Sequence, residues 1–475
     1  MKSMKRMGKR LTAFFLTAAL VWTLQAPDVY AVSANGAIAQ GVDVSKHNGA
    51  VNWGQVAASG MKFTFIKVGS TKSGIDPNFA SNITNAQAAG LKTGIYLYSY
   101  AVTPEEATNE ANLVLQWIDG YTVNYPVVFD IEDKCHKNLS SQQLIDIINA
   151  FCTTIDAAGY YPMVYSNKNM FVNKLSICGW DKWVAQYNDS CEYNNNVCFW
   201  QYTGSGKLSG FGGKVDLNYQ YKDYSTLIIP EGFINRNGNT RFYRNWRMQK
   251  GWVDYNGTRY YLDQAGNLVR GWYTDDTGTY YLSPEDGSIA RGQCVIDGGE
   301  YYFTAEGIKT MGWVVIGEQK FYYDPANNGT MKREWLSDDK GNFYFFDRTD
   351  GHMLTGAQII DHAEYLFSAD GIRMTGMVAG EDGTRYYDMA TGQMLHGFFT
   401  LEDKTYYADE AGHIVTGVYT IQEQPYYFDE TGVLLKSQAV TIDGTAYETT
   451  AEGILVQVPQ TPATDAETAA VGTVQ

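Results

Sequence analysis

Residues 127–133 read VVFDIED, an apolar run interrupted by two acidic residues that stand two positions apart. Side chains at i and i+2 of a strand point to the same face, so Asp130 and Glu132 are predicted to project together. Charge placed in an apolar run is costly unless something compensates it, which indicates a chemical role for this strand. A protonated carboxyl beside an ionised carboxylate is the pair that cleaves glycosidic bonds.

The elements around these acids alternate in type between residues 40 and 225. Eight apolar runs predict strands at 41–45, 63–69, 93–100, 125–132, 160–167, 182–187, 198–204 and 215–220. Helical segments follow the first five strands, at 51–60, 78–90, 104–118, 140–159 and 168–177. This alternation predicts an α/β barrel of the TIM type. The last three connections are too short for crossover helices, so five β/α units followed by three plain strands, some antiparallel, are predicted.

Polar side chains collect at the carboxyl ends of these strands, where barrels of this type hold their active sites. Asp43 and Asp216 belong to the first and last strands, so four acids are predicted to converge on one mouth. Crowded carboxylates raise one another's pKa, which keeps one carboxyl protonated near neutral pH. The candidate substrate-binding residues at the same rim are Tyr98, Tyr165, Gln186, Tyr187 and Gln201.

Other residues of this half leave alternatives open. Trp183 and Trp200 are either barrel core or platforms for a sugar ring. His47 has no nucleophile partner in the sequence and is expected to pack locally. Cys191 and Cys198 flank a short polar loop and are the best candidates for a disulfide. The six histidines form no ligand cluster, so no metal and no other cofactor is predicted.

Five motifs of this half together resemble glycoside hydrolase family 25, the lysozymes or N-acetylmuramidases. The motifs are GVDVSKHNGAVNW (41–53), YPVVFDIE (125–132), KWVAQY (182–187), FWQYTG (199–204) and KVDLN (214–218). The resemblance implies a (β/α)5(β)3 barrel that cleaves the β-1,4 bond between N-acetylmuramic acid and N-acetylglucosamine in peptidoglycan. It also implies that Glu132 is the general acid and Asp130 its partner carboxylate, with Asp43 and Asp216 lining the cleft.

The role of Asp130 has two versions. Asp130 could attack the anomeric carbon directly, or it could orient the substrate's own N-acetyl group for that attack. Substrate-assisted routes are a recognised exception among glycosidases, and the family resemblance favours this version. The sequence does not decide between them.

From about residue 231 the chain repeats every 20 residues or so, with Gly-Trp, a Gly-containing turn and an aromatic pair. Each unit predicts a β-hairpin, and stacked hairpins predict an all-β solenoid because a lone hairpin is marginal in water. The units resemble choline-binding, or cell-wall-binding, repeats, which implies aromatic boxes for a quaternary ammonium ion. The candidate wall-ligand residues are Trp252, Tyr261, Trp272, Tyr281 and Trp313.

No Trp follows Trp335, so the aromatics of the later units are expected to serve stacking alone. Related repeats also bind glucans or other wall polymers. Choline-decorated polymers and other wall polymers therefore both stay open as ligands, beside peptidoglycan as the substrate.

The N-terminal sequence and the net charge of the 475-residue chain indicate where the protein acts. A basic start and an apolar stretch at 11–24 predict a signal peptide over residues 1–31, hence a secreted, cell-wall-associated protein without a membrane span after processing. The net charge of −16 argues against nucleic acid as a partner. The predicted domains are a catalytic barrel at 32–230, wall-binding repeats at 231–457 and a disordered tail at 458–475.

Two further functions compete with a wall-cleaving enzyme. One is a non-catalytic wall adhesin on an inactive barrel, and the other is a glycosidase for another wall glycan. The four acids at the barrel mouth argue against the adhesin.

Overall fold

The structure is a computed structural model, and it describes residues 32–459. The predicted signal peptide and residues 460–475 of the predicted tail lie outside this range. The chain divides into two compact units. The first runs to Gly271 and includes Leu282–Ile289, and the second comprises Trp272–Tyr281 and the chain from Ala290 onward. No helix within the described range is long and apolar enough to cross a membrane.

Eight strands of the first unit form a closed barrel. They are β1 (Ala39–Val44), β2 (Phe63–Ser70), β3 (Lys92–Tyr98), β4 (Val127–Asp130), β5 (Pro162–Asn167), β6 (Lys182–Ala185), β7 (Val197–Gly206) and β8 (Val215–Gln220). Neighbouring strands from β1 to β7 are parallel, and β8 is antiparallel to both β7 and β1. The pairing of β1 with both β2 and β8 closes the sheet, which confirms the predicted barrel with its antiparallel end.

A helix follows each of the first five strands, as the sequence predicts. The helices are α1 (Trp53–Ala58), α2 (Phe79–Ala88), α3 (Pro104–Trp117), α4 (Ser141–Ala157) and α5 (Lys168–Asn173). The side chains of Thr103 and Ser140 accept hydrogen bonds from backbone N–H groups three residues later, so α3 and α4 begin at N-caps. Because the strands of this barrel alternate in side-chain direction, two cores result, one inside the barrel and one under the helices.

The two cores decide the alternatives that the sequence leaves open. Trp183 packs inside the barrel and Trp200 packs in the core under the helices, each 1% exposed, so neither is a sugar platform. Cys191 belongs to the core under the helices and Cys198 to the core inside the barrel. The two thiols therefore lie on opposite sides of the barrel wall. All six cysteines are free, and the predicted Cys191–Cys198 pair is wrong.

Eleven β-hairpins follow the barrel, and they confirm the predicted repeat array. Their strand pairs are Glu231–Arg236/Asn239–Arg244, Gly251–Tyr255/Thr258–Leu262, Gly271–Asp275/Gly278–Leu282, Gly292–Ile296/Gly299–Phe303, Gly312–Ile316/Gln319–Asp324, Glu334–Ser337/Phe343–Phe346, Gly356–Ile360/Ala363–Phe367, Gly376–Gly380/Gly383–Tyr387, Gly397–Leu401/Lys404–Ala408, Gly417–Ile421/Gln424–Phe428 and Ala439–Ile442/Thr445–Thr449. The turn residues Asn256 and Gly257 have φ of 49° and 81°, the geometry of a tight hairpin turn that matches strand twist.

Val32–Ser33 and Ser190–Cys191 form a separate two-stranded antiparallel sheet. The other short strands extend the sheets described above and are Gly74–Ile75, Arg247–Met248, Lys309–Thr310, Thr330–Met331 and Leu455–Gln457.

Candidate active site and wall-binding residues

Four acids of the barrel are brought together at one mouth. Asp130 is the last residue of β4 and is 3% exposed, and Glu132 follows two positions later with an exposed side chain. Asp43 on β1 is 5% exposed and lies opposite Asp216 in the register of β1 and β8. β4 ends at Asp130, so Glu132 lies just beyond the strand and not within it as the sequence predicts, and the charges of Glu132 and Asp43 both act on Asp130.

A hydrogen-bond network fixes the Asp43 carboxylate. Gln201 Nε2 and Asn218 Nδ2 donate to Asp43 Oδ2 at 3.0 and 2.7 Å. The hydroxyls of Tyr165 and Tyr187 both donate to Gln201 Oε1, at 2.9 and 3.0 Å. Three of the predicted substrate-binding residues thus belong to one network with an acid of the mouth.

The surroundings of the four acids raise the pKa of each carboxyl. Burial raises the pKa of Asp130 well above its usual range, and the neighbouring Glu132 adds to the effect. Burial and then the charge of Asp216 raise the pKa of Glu132. For Asp43, burial and then Asp216 raise the pKa, and burial raises that of Asp216. Such carboxyls are suited to carry protons near neutral pH.

The buried carboxylate of Asp130 is not fully satisfied. Its Oδ1 has no hydrogen-bond partner among residues 32–459 and is shielded from solvent. Buried polar atoms in folded proteins nearly always have a partner, and exceptions concentrate where function requires them. The free acceptor therefore suits a donor that a ligand would bring.

The other predicted rim residues differ in their availability. Tyr187 is 62% exposed as a residue, and partial burial of its hydroxyl and then the charges of the acids raise its pKa to about 12. The hydroxyl of Tyr98 donates to Asp133 Oδ2 at 3.2 Å, which holds this ring at the rim. Gln186 differs, because its Oε1 accepts a hydrogen bond from the backbone of Glu192 at 2.9 Å. Its side chain is thus engaged in a loop contact.

Two further residues of the site, Lys67 and Tyr96, are not predicted from the sequence. Lys67 lies on β2 two positions after Phe65, which packs inside the barrel, so the i, i+2 rule that identified the acids also applies to it. Burial lowers the pKa of Lys67, and the charge of Asp130 opposes this effect. Tyr96 lies on β3, and burial raises its pKa well above the usual range, with the charge of Asp43 adding to it. The signal for Lys67 was a lysine in the apolar run FTFIKVG.

The aromatic residues predicted to bind a wall ligand are paired across their hairpins. The ring centroids of Trp252 and Tyr261 are 5.1 Å apart, and those of Trp272 and Tyr281 are 5.0 Å apart. The ring of Trp313 lies 5.1 Å from Tyr322 of its own hairpin. Trp313 also contacts an aromatic ring of the next hairpin, so the boxes are built from two repeats.

One group in the described range has the chemistry of metal ligands, Asp347, Asp350 and His352. His352 Nδ1 lies 2.5 Å from Asp350 Oδ1, and Asp347 Oδ1 accepts from the backbone N–H of Thr349. These atoms bond within their own turn, and nothing in the geometry indicates an ion.

Comparison with known proteins finds a matching family in each half of the chain. Residues 42–211 match glycosyl hydrolases family 25, residues 290–335 and 354–399 match the choline-binding repeat, and residues 250–268 match a putative cell wall binding repeat. An uncharacterised protein of Escherichia coli K12, YegX, is 29% identical over 189 residues, which are 38% of this chain and 68% of that protein.

Two further relatives are lysozymes. Lysozyme M1 of Streptomyces globisporus is 29% identical over 198 residues, which cover 38% of this chain and 66% of that protein. The autolytic lysozyme of Clostridium acetobutylicum is 26% identical over 199 residues, which cover 41% of this chain and 58% of that protein. With its barrel, its acidic mouth and its hairpin array, the chain contains a domain of glycosyl hydrolases family 25 followed by choline-binding repeats.

Proposed function

We propose that the chain is an exported muramidase, which cleaves the β-1,4 bond between N-acetylmuramic acid and N-acetylglucosamine in peptidoglycan. The observation that carries this proposal is the convergence of four carboxyls with raised pKa values at one mouth of the barrel. Glycosidic cleavage needs one carboxyl that is protonated and a second that handles the positive charge developing on the sugar.

Glu132 is the general acid in this proposal. Its side chain is exposed at the rim, where a glycan can reach it, while burial of its surroundings and the charge of Asp216 raise its pKa. A raised pKa keeps the proton available for the leaving glycosidic oxygen near neutral pH. Asp43 and Asp216 line the cleft, and the network through Gln201 holds Asp43 in place.

Asp130 is the second carboxyl, which stabilises the positive charge that develops on the sugar. The unpartnered Oδ1 of Asp130 suits the N–H of a substrate N-acetyl group, whose oxygen would then attack the anomeric carbon. This supports the substrate-assisted route over direct attack by Asp130. Glycan strands that lack the N-acetyl group should then resist cleavage, whereas a nucleophilic Asp130 would still cleave them.

The repeats hold the enzyme at the cell wall in this proposal, and residues 1–31 direct its export. A strongly acidic chain is repelled by phosphate-rich wall polymers, so positively charged choline groups are a suitable handle. Aromatic rings bind such quaternary ammonium ions by cation–π attraction. The candidate rings are those predicted at Trp252, Tyr261, Trp272, Tyr281 and Trp313, and the side chains that lie over each ring decide which of them can accept a ligand.

The test is digestion of purified peptidoglycan, followed by turbidity and by mass spectrometry of the new reducing ends. N-acetylmuramic acid at these ends is the expected result. N-acetylglucosamine at the reducing ends would make the enzyme a glucosaminidase and contradict the proposed bond. Release of free stem peptides alone would contradict glycosidic chemistry in the barrel.

A further inference from the structure

Four aromatic cages of the second unit share one construction. Each cage combines two rings of one hairpin with two rings of the next, and the centroids of contacting rings lie between 4.8 and 6.4 Å apart. We name each cage by its first ring. The members are Trp272, Tyr281, Tyr301 and Phe303; Trp313, Tyr322, Tyr344 and Phe346; Trp335, Phe345, Tyr365 and Phe367; and Phe398, Tyr407, Tyr426 and Phe428.

A fifth position distinguishes the cages from one another. In every cage, the last ring forms a β-bridge with a residue of the segment that follows its hairpin. These pairs are Phe303 with Lys309, Phe346 with Met353, Phe367 with Arg373, and Phe428 with Leu434. The Trp272 and Trp335 cages therefore have a cation at the position where the Trp313 and Phe398 cages have an apolar side chain.

Both cations lie against the aromatic rings. Lys309 Nζ is 5.1 Å from the ring centroid of Trp272 and 5.7 Å from that of Tyr301. The same ammonium donates to the backbone and side-chain oxygens of Asn328, at 3.2 and 3.0 Å, so it is anchored there. Arg373 Cζ is 5.9 Å from the Trp335 centroid and 4.3 Å from that of Phe343, a ring outside the cage.

Arg373 is also anchored. Its guanidinium donates to the backbone oxygens of Thr391 and Ala390, at 2.7 and 3.2 Å. Each cation is thus held by oxygens of a neighbouring turn while it lies over the aromatic rings, so it is a fixed part of its cage.

We propose that Lys309 and Arg373 are built-in occupants that close the Trp272 and Trp335 cages to quaternary ammonium ions. Among these four cages, the Trp313 and Phe398 cages are then the ones that bind the ligand, and the Trp252 ring of the first unit carries Arg259 at 5.1 Å. This inference rests on the proposed function of the repeats as choline binders. A ring face that already holds a cation has no room for a second one, and the two like charges repel.

The two remaining cages are open to a ligand. Trp313 is 45% exposed and Phe398 is 46% exposed, close to the 40% of Trp272, so exposure does not distinguish the cages. The difference is the cation, because within residues 32–459 no lysine or arginine lies over the Trp313 or Phe398 ring. A cleft of about 790 Å³ adjoins Phe398, and Asp409 and Glu410 are part of its wall. These carboxylates favour a cationic ligand and offset the absence of a Trp, the strongest cation–π ring.

The experiment measures the stoichiometry of choline chloride binding to the full-length chain by calorimetry. Trp313→Ala and Phe398→Ala should each remove one site, whereas Trp272→Ala should leave the stoichiometry unchanged. Lys309→Met, which restores the apolar type found at Met353, should add one site. Arg373→Met should do the same in the Trp335 cage. Lys320→Met is the matched control, because Lys320 pairs with Asp370 at 3.5 Å and is not over a cage ring.

The experiment distinguishes a failure of the proposed function from a failure of this inference alone. A wild-type chain that binds no choline would overturn the proposed function of the repeats, and this inference with it. A wild-type chain that binds choline, but loses it in Trp272→Ala and gains none in either methionine variant, would overturn the inference alone. Near-ultraviolet circular dichroism of each variant verifies that the cages are folded.

Discussion

Individual acidic residues at the barrel mouth occupy positions that are unfavourable for the stability of the fold. Asp130 and Asp43 are carboxyls with almost no solvent contact, and burial raises the pKa of both. Burying a charge costs free energy, so such acids persist in a fold where they serve chemistry. Each substitution at the mouth should therefore separate an effect on activity from an effect on folding.

Glu132→Gln tests the proton donor. Glutamine keeps the shape of the side chain but carries no acidic proton, so turnover of peptidoglycan should fall by about 10²–10⁴, the usual weight of general acid catalysis. The thermal midpoint should not fall, because the side chain of Glu132 reaches the surface and glutamine removes a carboxyl whose pKa burial raises. A variant that keeps full turnover would contradict the role of Glu132.

Asp130→Asn should lose most activity and gain stability at neutral pH. The folded-state pKa of Asp130 lies above its unfolded value of about 3.9, so the folded state binds this proton more tightly. The stability that the group contributes is complete below the unfolded pKa and is lost as the pH rises toward the folded pKa. The variant cannot ionise there, so it should become more stable than the wild type over that interval. The gain is about 1.4 kcal/mol for each pH unit between the unfolded and the folded pKa.

Chemical denaturation of both proteins at a series of pH values gives this difference directly. A difference that does not change with pH would mean that packing, and not ionisation, separates the two proteins.

Lys67→Met tests the role of a cation that acts on both Asp130 and Glu132. The Lys67 ammonium lowers the pKa of both Asp130 and Glu132, so its removal should raise both. Both limbs of the pH profile of kcat/KM should then move to higher pH. Lys62→Met, at an exposed position next to the same strand, should leave the profile in place. A drop in rate without a shift of the profile would indicate a structural role only.

The strands and helices could be predicted from the sequence where they depend on the spacing of apolar residues and on the order of the segments. The eight strands, the five helices and the antiparallel end of the barrel follow from apolar runs and from connection lengths. Contacts that depend on the path of a loop were not accessible in this way. Gln186 illustrates this, since its side chain bonds to the backbone of Glu192, six residues along a polar loop. The cations over the Trp272 and Trp335 rings escaped for the same reason, because they come from other segments.

Helix α4 meets the first hairpin through an ion cluster that sequence patterns did not indicate. Asp156, in the last turn of α4, lies 2.9 Å from Arg236 and 3.5 Å from Arg241. All three side chains are largely buried, at 17, 12 and 8% exposure. An acid is unfavourable at the carboxyl end of a helix, so the two arginines of the hairpin account for its presence.

Asp156→Asn should destabilise the first unit by roughly 3 kcal/mol, because two buried cations lose their partner. The measurement is thermal or chemical unfolding of the full-length chain. Asp254→Asn is the matched control, since Asp254 is 78% exposed and lies 3.6 Å from Arg259. An exposed pair of this kind contributes about 0–1 kcal/mol. Equal effects of the two substitutions would show that the cluster does not hold the hairpin.

The whole chain contains more than cleavage of a glycan requires. The barrel carries all four acids, so cleavage of soluble glycan fragments should not require the repeats of the second unit. The first hairpins belong to the same compact unit as the barrel, and the hydroxyl of Tyr243 donates to Gly159 at 2.9 Å at the end of α4. A cut at the predicted boundary of residue 230 would remove this contact and the partners of Asp156.

Fragments 32–290 and 32–230 should therefore differ, although both contain the complete barrel. Fragment 32–290 should match the full-length chain in thermal midpoint of the barrel and in cleavage of soluble fragments, and fragment 32–230 should unfold at lower temperature. On whole cell walls, fragment 32–290 should be slower than the full-length chain by about 10²-fold, because linked binding modules raise the effective concentration at the wall. If fragment 32–290 and the full-length chain cleave whole cell walls at equal rates, the repeats beyond residue 290 do not tether the enzyme.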